Sequence, residues 1–504
     1  KRFALDVLAQ EYLGGAKITR VEESRMADYH ASDVANRAEY QAVLVAQLHA
    51  KMSPQIDEQG LRAVQDLEDE VIFPVVEMEK NGAPIDMELL RSYSKEFQTW
   101  HEELLWAVSK EVGFAFDHTP ASWRRLFEHL NLPISYLESR DKEGKRKETY
   151  ADTILAKIEH PIVAKARLAG QLASLNSKIM KPYLEMIGDD GILYYQINQL
   201  RGDDGGTVSG RFSIGYVQQV PNADNHAATF GDRLNPRKLY IPAPGSGARY
   251  FAADAAQIEF RIFSSFANNP RVMAAYAADP RTNFHKFLWP LLREFRADLS
   301  YTGTKGLNFA TIYGAGLPKT GVMMNMLTEE MAEEIRRFGN QKTDPRLAPV
   351  RDVKAIYNRE LPEVEPLLKK ASHLAQSRCD EFCGKSRISR ELHAEGLPHR
   401  GYVKTILGRR ARFPNGFGLH KALNRVIQGT AADIMKRKLV EVHKERKNTG
   451  FVMRMTVHDE LCGDSPDQEC DRRVMEILNR QSFEGLRVPI LWESDAGASW
   501  ADAK

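Results

Sequence analysis

The chain has 504 residues, 43% apolar and 27% charged, with 70 Lys and Arg against 68 Asp and Glu and a formal net charge of +2. That length implies several domains. The longest apolar runs fall well short of the roughly 18 residues of a membrane span, and the near-neutral balance announces no nucleic-acid partner through bulk charge.

In chain order, residues 61–82 have helical periodicity: Leu67, Val71, Ile72, Val75 and Met78 recur at threes and fours, and Asn81-Gly82 supplies a stop. Residues 88–112 predict a second amphipathic helix. A polar basic loop follows at 139–149, with Lys142, Lys145, Arg146 and Lys147, and then a long helical stretch at 150–187. Residues 191–222 change character. Gly202-Asp-Asp-Gly-Gly206 and Thr207-Val-Ser-Gly-Arg-Phe-Ser213 read as strands and loops around a site. Residues 249–253 form a strand-like run ending at Asp254. Residues 257–276 and 281–400 read as mostly helical, with 339–352 as a short tip loop. Arg409, Arg410 and Arg412 make a second basic cluster, for which solvated surface is the plain expectation. The last hundred residues mix helix (418–447), strand (452–457 and 460–463) and helix (467–480). No internal repeat is visible. The pattern predicts a mixed α/β architecture with helical lobes around a small sheet. Four cysteines without framework spacing fit a reducing compartment, and Cys379 and Cys383 find no matching pair in Cys462 and Cys470 for a zinc site. The chain starts at Lys1 with no signal peptide, and reads as a piece of something longer.

Three patterns carry chemistry. Asp254 and Asp459 each stand at the end of an apolar strand-like run. Mg²⁺ takes one or two carboxylates plus substrate phosphates, so if the strands are neighbours the pair suits metal-dependent phosphoryl chemistry; if not, they are ordinary loop acids. On a helix over 301–315, Tyr301, Lys305, Phe309 and Tyr313 share one face. The aromatics alone would be core; a lysine among them needs an anion or a route to water, and a triphosphate at Lys305 with a base stacked against Tyr313 would use the whole face. Over 418–438, His420, Asn424 and Gln428 also recur every four residues. This stripe is either solvated or a row of donors to minor-groove acceptors, and Arg211 on its glycine-flanked loop offers the same.

Together these residues resemble the family A DNA polymerases, the group of bacterial DNA polymerase I and its phage relatives, over nearly the whole chain. Asp254-x-x-Gln257-Ile-Glu259-x-Arg261 looks like motif A, Lys305-x3-Phe309-x3-Tyr313-Gly314 like motif B and Val457-His458-Asp459-Glu460 like motif C. Gln428-Gly-Thr-Ala-Ala-Asp433, Thr207-x-Ser-Gly210-Arg211 and Ser494-Asp-Ala-Gly-Ala-Ser-Trp500 match further family segments. The resemblance implies a right-hand polymerase fold of thumb, palm and fingers. It implies two Mg²⁺ ions, with Mn²⁺ as a substitute, on Asp254 and Asp459 with Glu460 close by. Gln257, Glu259, His285, Lys305, Phe309 and Tyr313 would meet the nucleotide, with Lys305 also catalytic and Glu259 blocking a ribose 2′ position. Arg211, Asn424, Gln428 and His458 would meet DNA. The implied partners are primer-template DNA and dNTPs, with no membrane, a processivity factor left open, a monomeric state, and a bacterial or, for a phage enzyme, host cytoplasm.

The resemblance divides the chain into thumb at 91–190, palm at 191–265 and 401–504, and fingers at 266–400, behind a connecting helix at 61–90. Residues 1–60 resemble the C-terminal part of a ribonuclease H-like 3′–5′ exonuclease, with Tyr29 and Asp33 as its last acidic motif. The earlier acidic motifs are not in this chain, so proofreading is expected of a longer parent. One departure stands out. The family usually has an arginine four residues before the motif B lysine; here that position is Tyr301, and Arg293, Arg296 or the tyrosine hydroxyl are the alternatives to it.

Overall fold

The computed structural model describes residues 5–15, 23–140, 146–199, 207–383, 401–413, 418–481 and 483–503. Lys142 and Lys145, and the glycine run at 202–206, lie outside these, as do the side chains of Arg146, Lys147, Cys379 and Cys383. The described part of residues 1–60 is helical: α1 (Leu5–Leu13), a 3₁₀ turn and α2 (Ala31–Glu58).

α3 (Arg62–Asn81) buries Leu67, Val71, Val75 and Met78 as its periodicity predicts, while Ile72, one position round from Val71, faces outward. The helix stops at Gly82, whose φ is +54°; a Cβ there would come within 2.5 Å of the Ile192 side chain, so the stop is also a packing requirement. α4 (Met87–Val112) starts beneath Asp86, whose carboxylate accepts from Leu89 N at 2.9 Å. The long helix expected over 150–187 is broken. Pro161 has no N–H to donate, so it opens α5 (Pro161–Leu175) rather than continuing the segment before it. Beyond α5 the path runs through a π turn at Asn176–Met180. α4 and α5 pack together, and a core of their own, built on Val108, Trp123, Leu126, Phe127 and Val163, sits at one end of the pair. The loop read at 139–149 is bracketed by an antiparallel hairpin, Ser135–Arg140 against Arg146–Thr149.

The centre is a sheet. β1 (Arg249–Ala255), β2 (Val452–Val457), β3 (Glu460–Ser465) and β4 (Trp492–Gly497) are all antiparallel, in the order β2-β3-β1-β4. β1 and β3 run two residues further than their apolar stretches suggest, so Asp254 lies inside β1. β4 has no apolar alternation to betray it: Glu493, Ser494 and Asp495 are exposed on an edge. α6 (Ile258–Ala267) leaves β1 directly. It is followed by α7 (Phe284–Arg293), α8 (Tyr301–Ile312), α9 (Leu317–Met323), α10 (Val364–Cys383), α11 (Ala422–Lys444) and α12 (Gln468–Asn479). The stretch at 339–352 is a tight turn rather than a free loop tip: Asp344 accepts from Arg346 N at 3.0 Å and pairs with its guanidinium, and a helix starts at Ala348.

Of the cluster, Arg412 stays exposed, while Arg409 and Arg410 are part-buried and engaged rather than solvated. Arg410 donates to Gln59 O and Arg412 to Gln59 Oε1. Arg409 pairs with Asp433 of α11 at 2.6 Å and with Glu68 of α3 at 2.5 Å. Lys436, 1% exposed, donates to both Glu68 oxygens at 2.7 and 2.9 Å, and Thr405 donates to Asp433 at 2.6 Å. Buried charges persist only when paired, and removing one partner strands the rest. Glu68→Gln keeps the shape and deletes the shared carboxylate charge. In urea unfolding it should lose about 3–5 kcal/mol of stability; a loss below about 1 kcal/mol would show that the network is not a structural tie.

Candidate active site

β1 and the β2–β3 hairpin bring the two aspartates together. In the ladder Asp254 faces Glu460, and Ala255 N donates to Asp459 O at 3.0 Å, so residues 254 and 459 are backbone neighbours. His458 and Asp459 form the two-residue turn between Val457 and Glu460, with His458 at φ +55°, a conformation the hairpin imposes on a non-glycine residue. The Asp254 and His458 side chains are exposed, and that of Asp459 keeps 24% of its exposure.

Arg211 joins this pair to α6. Its Nη2 donates to Glu259 Oε1 at 2.8 Å and to Asp459 Oδ1 at 3.3 Å. Thr207 Oγ1 donates to Arg211 O at 2.8 Å, and Gly210, at φ +82°, lies so close to the clamped Arg409 that a Cβ would be 3.0 Å from its Cδ. Glu259 is buried and Tyr313 OH approaches its other oxygen at 3.5 Å. Burial pushes the Glu259 carboxyl up and Arg211 pulls it part of the way back; burial likewise raises Asp459.

α8 runs over the start of α6. Phe309 meets Phe260 edge-on at 4.9 Å between ring centres, and Tyr313 follows at 5.8 Å from Phe309. Both are half-buried, so the core reading of these aromatics and an open face on α8 are both served. Lys305 on the same face is exposed and has no side-chain partner among the described residues. Gly314, at φ +66°, ends the helix, and a Cβ there would come within 2.3 Å of His420 O. His285 of α7 is 3% exposed, and Asn308 Nδ2 lies 2.8 Å from its Nδ1. With the amide in this orientation its nitrogen donates, Nδ1 accepts and the ring proton sits on Nε2. Sequence reasoning missed Asn308; a fully buried amide between Lys305 and Phe309 was the available signal.

Other expected residues fall differently. Glu460 is not free beside Asp254: it is 3% exposed, accepts from Trp500 Nε1 at 2.8 Å and lies 3.9 Å from Arg237, which itself stacks on Trp500. Asp254 and Asp459 are the more open hard-oxygen groups beside it. Two carboxylates with open positions fit Mg²⁺ or Mn²⁺ completed by substrate phosphates and water. Gln257, at φ +52°, accepts through Oε1 from Phe284 N at 3.1 Å, which ties α6 to α7. His420 precedes α11 in a 3₁₀ turn, because the helix starts at Ala422 rather than 418. Asn424 and Gln428 are on α11. Asn424 Nδ2 is buried without a partner among the described residues. Gln428 lines a cavity of about 300 Å³ with Arg211, Ser209 and His458. A larger cavity of about 510 Å³, between His118, Trp123, Arg167 and His226, shares none of these walls. Tyr29 and Asp33 are exposed at the start of α2, and no group of three or more His, Cys, Asp or Glu able to hold a metal occurs there or elsewhere among the described residues.

Burial, reinforced by the charge of Lys305, holds His285 down at about 4 against an ordinary 6.5. The neutral ring is the folded form, so its contribution to stability is full above pH 6.5 and is lost as pH falls toward 4. Melting temperatures measured across that window should fall less steeply in His285→Phe than in the parent; equal slopes would contradict the assignment.

Comparison with known proteins agrees in one direction. The profile of DNA polymerase family A matches residues 87–345 and 364–502. The chain is 27% identical to DNA polymerase DpoZ of Salmonella phage PMBT28, across 97% of this chain and 79% of that one. It is 25% identical to DpoZ of Vibrio phage phiVC8, across 100% and 79%. Its likeness to the thermostable DNA polymerase I of Thermus aquaticus is 26%, across 85% of this chain and 47% of that one. The solved POL domain of Pol1 from M. smegmatis, in complex with DNA primer-template and dNTP, superposes with a TM-score of 0.74 at 20% identity, covering 100% of this chain and 80% of that one.

Proposed function

The chain belongs to the family A DNA polymerases, and from that premise we propose how its own residues carry out DNA-directed DNA synthesis. Substrates are primer-template DNA and dNTPs. The observation that carries the reading is the backbone adjacency of Asp254 and Asp459, linked through Arg211 and Glu259 to Tyr313 at the end of α8.

The primer 3′-OH attacks the α-phosphate in line, a P–O bond forms, and pyrophosphate leaves. Asp254 and Asp459 would hold two Mg²⁺ ions, which supply Lewis-acid activation of the hydroxyl and neutralise charge on the leaving group. Everything else is positioning. Lys305 is an unpaired point charge for the triphosphate. His285, neutral at physiological pH with its proton on Nε2, donates a hydrogen bond to phosphate without needing to titrate. Phe309 and Tyr313 form the wall for sugar and base. Glu259, pinned by Arg211, is a fixed block where a ribose 2′-OH would fall. Arg211, Gln428 and Asn424 offer donors to the minor groove and His458 stands at the primer end. Arg211 reaches Asp459 Oδ1 at 3.3 Å, so its guanidinium would share that carboxylate with a bound metal.

In this reading α4, α5 and the hairpin strands form the thumb (91–190), the sheet with α6, α11 and α12 the palm (191–265 and 401–504), and α7 to α10 the fingers (266–400), with α3 as connector (61–90). Residues 1–60 are read as the end of an exonuclease unit, with Tyr29 and Asp33 its last motif, and proofreading as the property of a longer parent. The proposed setting is a monomer in a bacterial cytoplasm, that of the host if a phage encodes it; the two DpoZ relatives favour the phage alternative.

Primer extension with Mg²⁺ tests the centre. Asp459→Asn should cut the rate by about three orders of magnitude, the loss of several kcal/mol of transition-state stabilisation. Retention of the parental rate would refute the assignment. Glu259→Ala should incorporate ribonucleotides more readily than the parent, by about tenfold or more in kcat/KM; unchanged discrimination would remove Glu259 from that role.

A further inference from the structure

Position 301 leaves the phosphate side of α8 without the arginine that the motif would supply, and the structure points to a different cation. We propose that Lys286 and Tyr301 together bind the outer phosphates of the incoming nucleotide, with Lys286 supplying the charge. This rests on the reading of Lys305 given above.

Tyr301 and Lys305 are four residues apart on α8, one turn and about 6 Å along its axis. Beside Tyr301 is a groove of about 530 Å³, walled by Lys286, Trp289, Pro290 and Tyr301. That is ample for a phosphate with its water, each water taking roughly 30 Å³. Its wall is fixed: Trp289 Nε1 donates to Leu299 O at 2.9 Å, and the ring meets Tyr301 edge-on at 5.7 Å. Because Tyr301 stands one turn before Lys305, a phosphate tail extending from Lys305 toward the start of α8 would reach this groove.

Of the cations on this stretch, Lys286 alone lines the groove, and partners separate it from Arg293 and Arg296. Arg296 is held by both oxygens of Asp298, at 2.6 and 3.1 Å. Arg293 stacks over Trp289 at 5.2 Å and donates to Ala297 O at 3.3 Å. Lys286 is exposed, and its ammonium has no hydrogen-bond or ion-pair partner among the described residues. It follows His285 directly, so one short stretch of α7 presents a neutral donor and a point charge in succession. A flexible ammonium suits a phosphate that must arrive and leave as pyrophosphate, and the Tyr301 hydroxyl adds a donor on the opposite wall.

Steady-state primer extension on the full chain, with inorganic pyrophosphate as a product inhibitor, tests this. Lys286→Ala should raise KM for dNTP and the inhibition constant of pyrophosphate together, by about five- to tenfold, with the change falling on KM rather than kcat. Lys286→Arg should restore most of the loss, and Tyr301→Arg in the Lys286→Ala background should restore it from across the groove. Lys305→Ala separates the two levels. If Lys305→Ala is impaired while Lys286→Ala keeps the parental KM, the proposal falls and the reading of the site stands. A Lys286→Ala defect confined to kcat, with no rescue by arginine, also overturns it. If Lys305→Ala is unimpaired, the reading of the site itself fails.

Discussion

A single register decides whether this protein has an active centre. Residues 254 and 459 are far apart in sequence, and the antiparallel pairing of β1 with β3 puts Asp254 opposite Glu460 and makes Ala255 N donate to Asp459 O. A slip of one residue in that ladder would turn each side chain to the other face. The two-residue turn at His458-Asp459 joins β2 to β3 and brings Asp459 beside β1, at the cost of about 1 kcal/mol or more for the positive φ at His458. Strain is stored where the function needs a carboxylate lifted out of the sheet, and the buried strands on either side repay it.

The rest of the molecule holds partners against that pair. Glu68, Arg409, Asp433 and Lys436 tie α3, the Tyr402–Arg412 hairpin and α11 into one block. Arg409 in turn backs Gly210, which fixes the loop that carries Arg211 to Glu259 and Asp459. The connection runs from a buried ion network to the electrostatics of the metal-binding acids. A Cβ at Gly306 would meet Met323 O at 1.7 Å, so α8 and α9 are in close backbone contact, and Gly314 likewise lies close against His420 O ahead of α11.

Much of this was legible in the residues, and for particular reasons. The helix spanning Lys305 to Tyr313 announced itself because a period of four with a cation among aromatics has few uses. The strands at 249–255 and 452–457 were visible as apolar runs. β4 was not, because an edge strand with one face in water needs no apolar residues. The break at Pro161 was overlooked in favour of helical periodicity on either side of it, although proline gives the signal plainly. The arginines at 409 and 410 looked like solvated surface because their partners, Glu68, Asp433 and Gln59, are distant in sequence. Glu460 illustrates the same limit: its contacts with Trp500 and Arg237 are equally distant in sequence.

The central claim is that Asp254 and Asp459 jointly hold a pair of divalent ions against a nucleotide. Mn²⁺ binding followed by electron paramagnetic resonance, on the chain with primer-template and a dNTP, tests it most directly. The account predicts a spin-coupled ion pair in the parent complex, and its loss in both Asp254→Asn and Asp459→Asn. An intact coupled pair in either variant would contradict it.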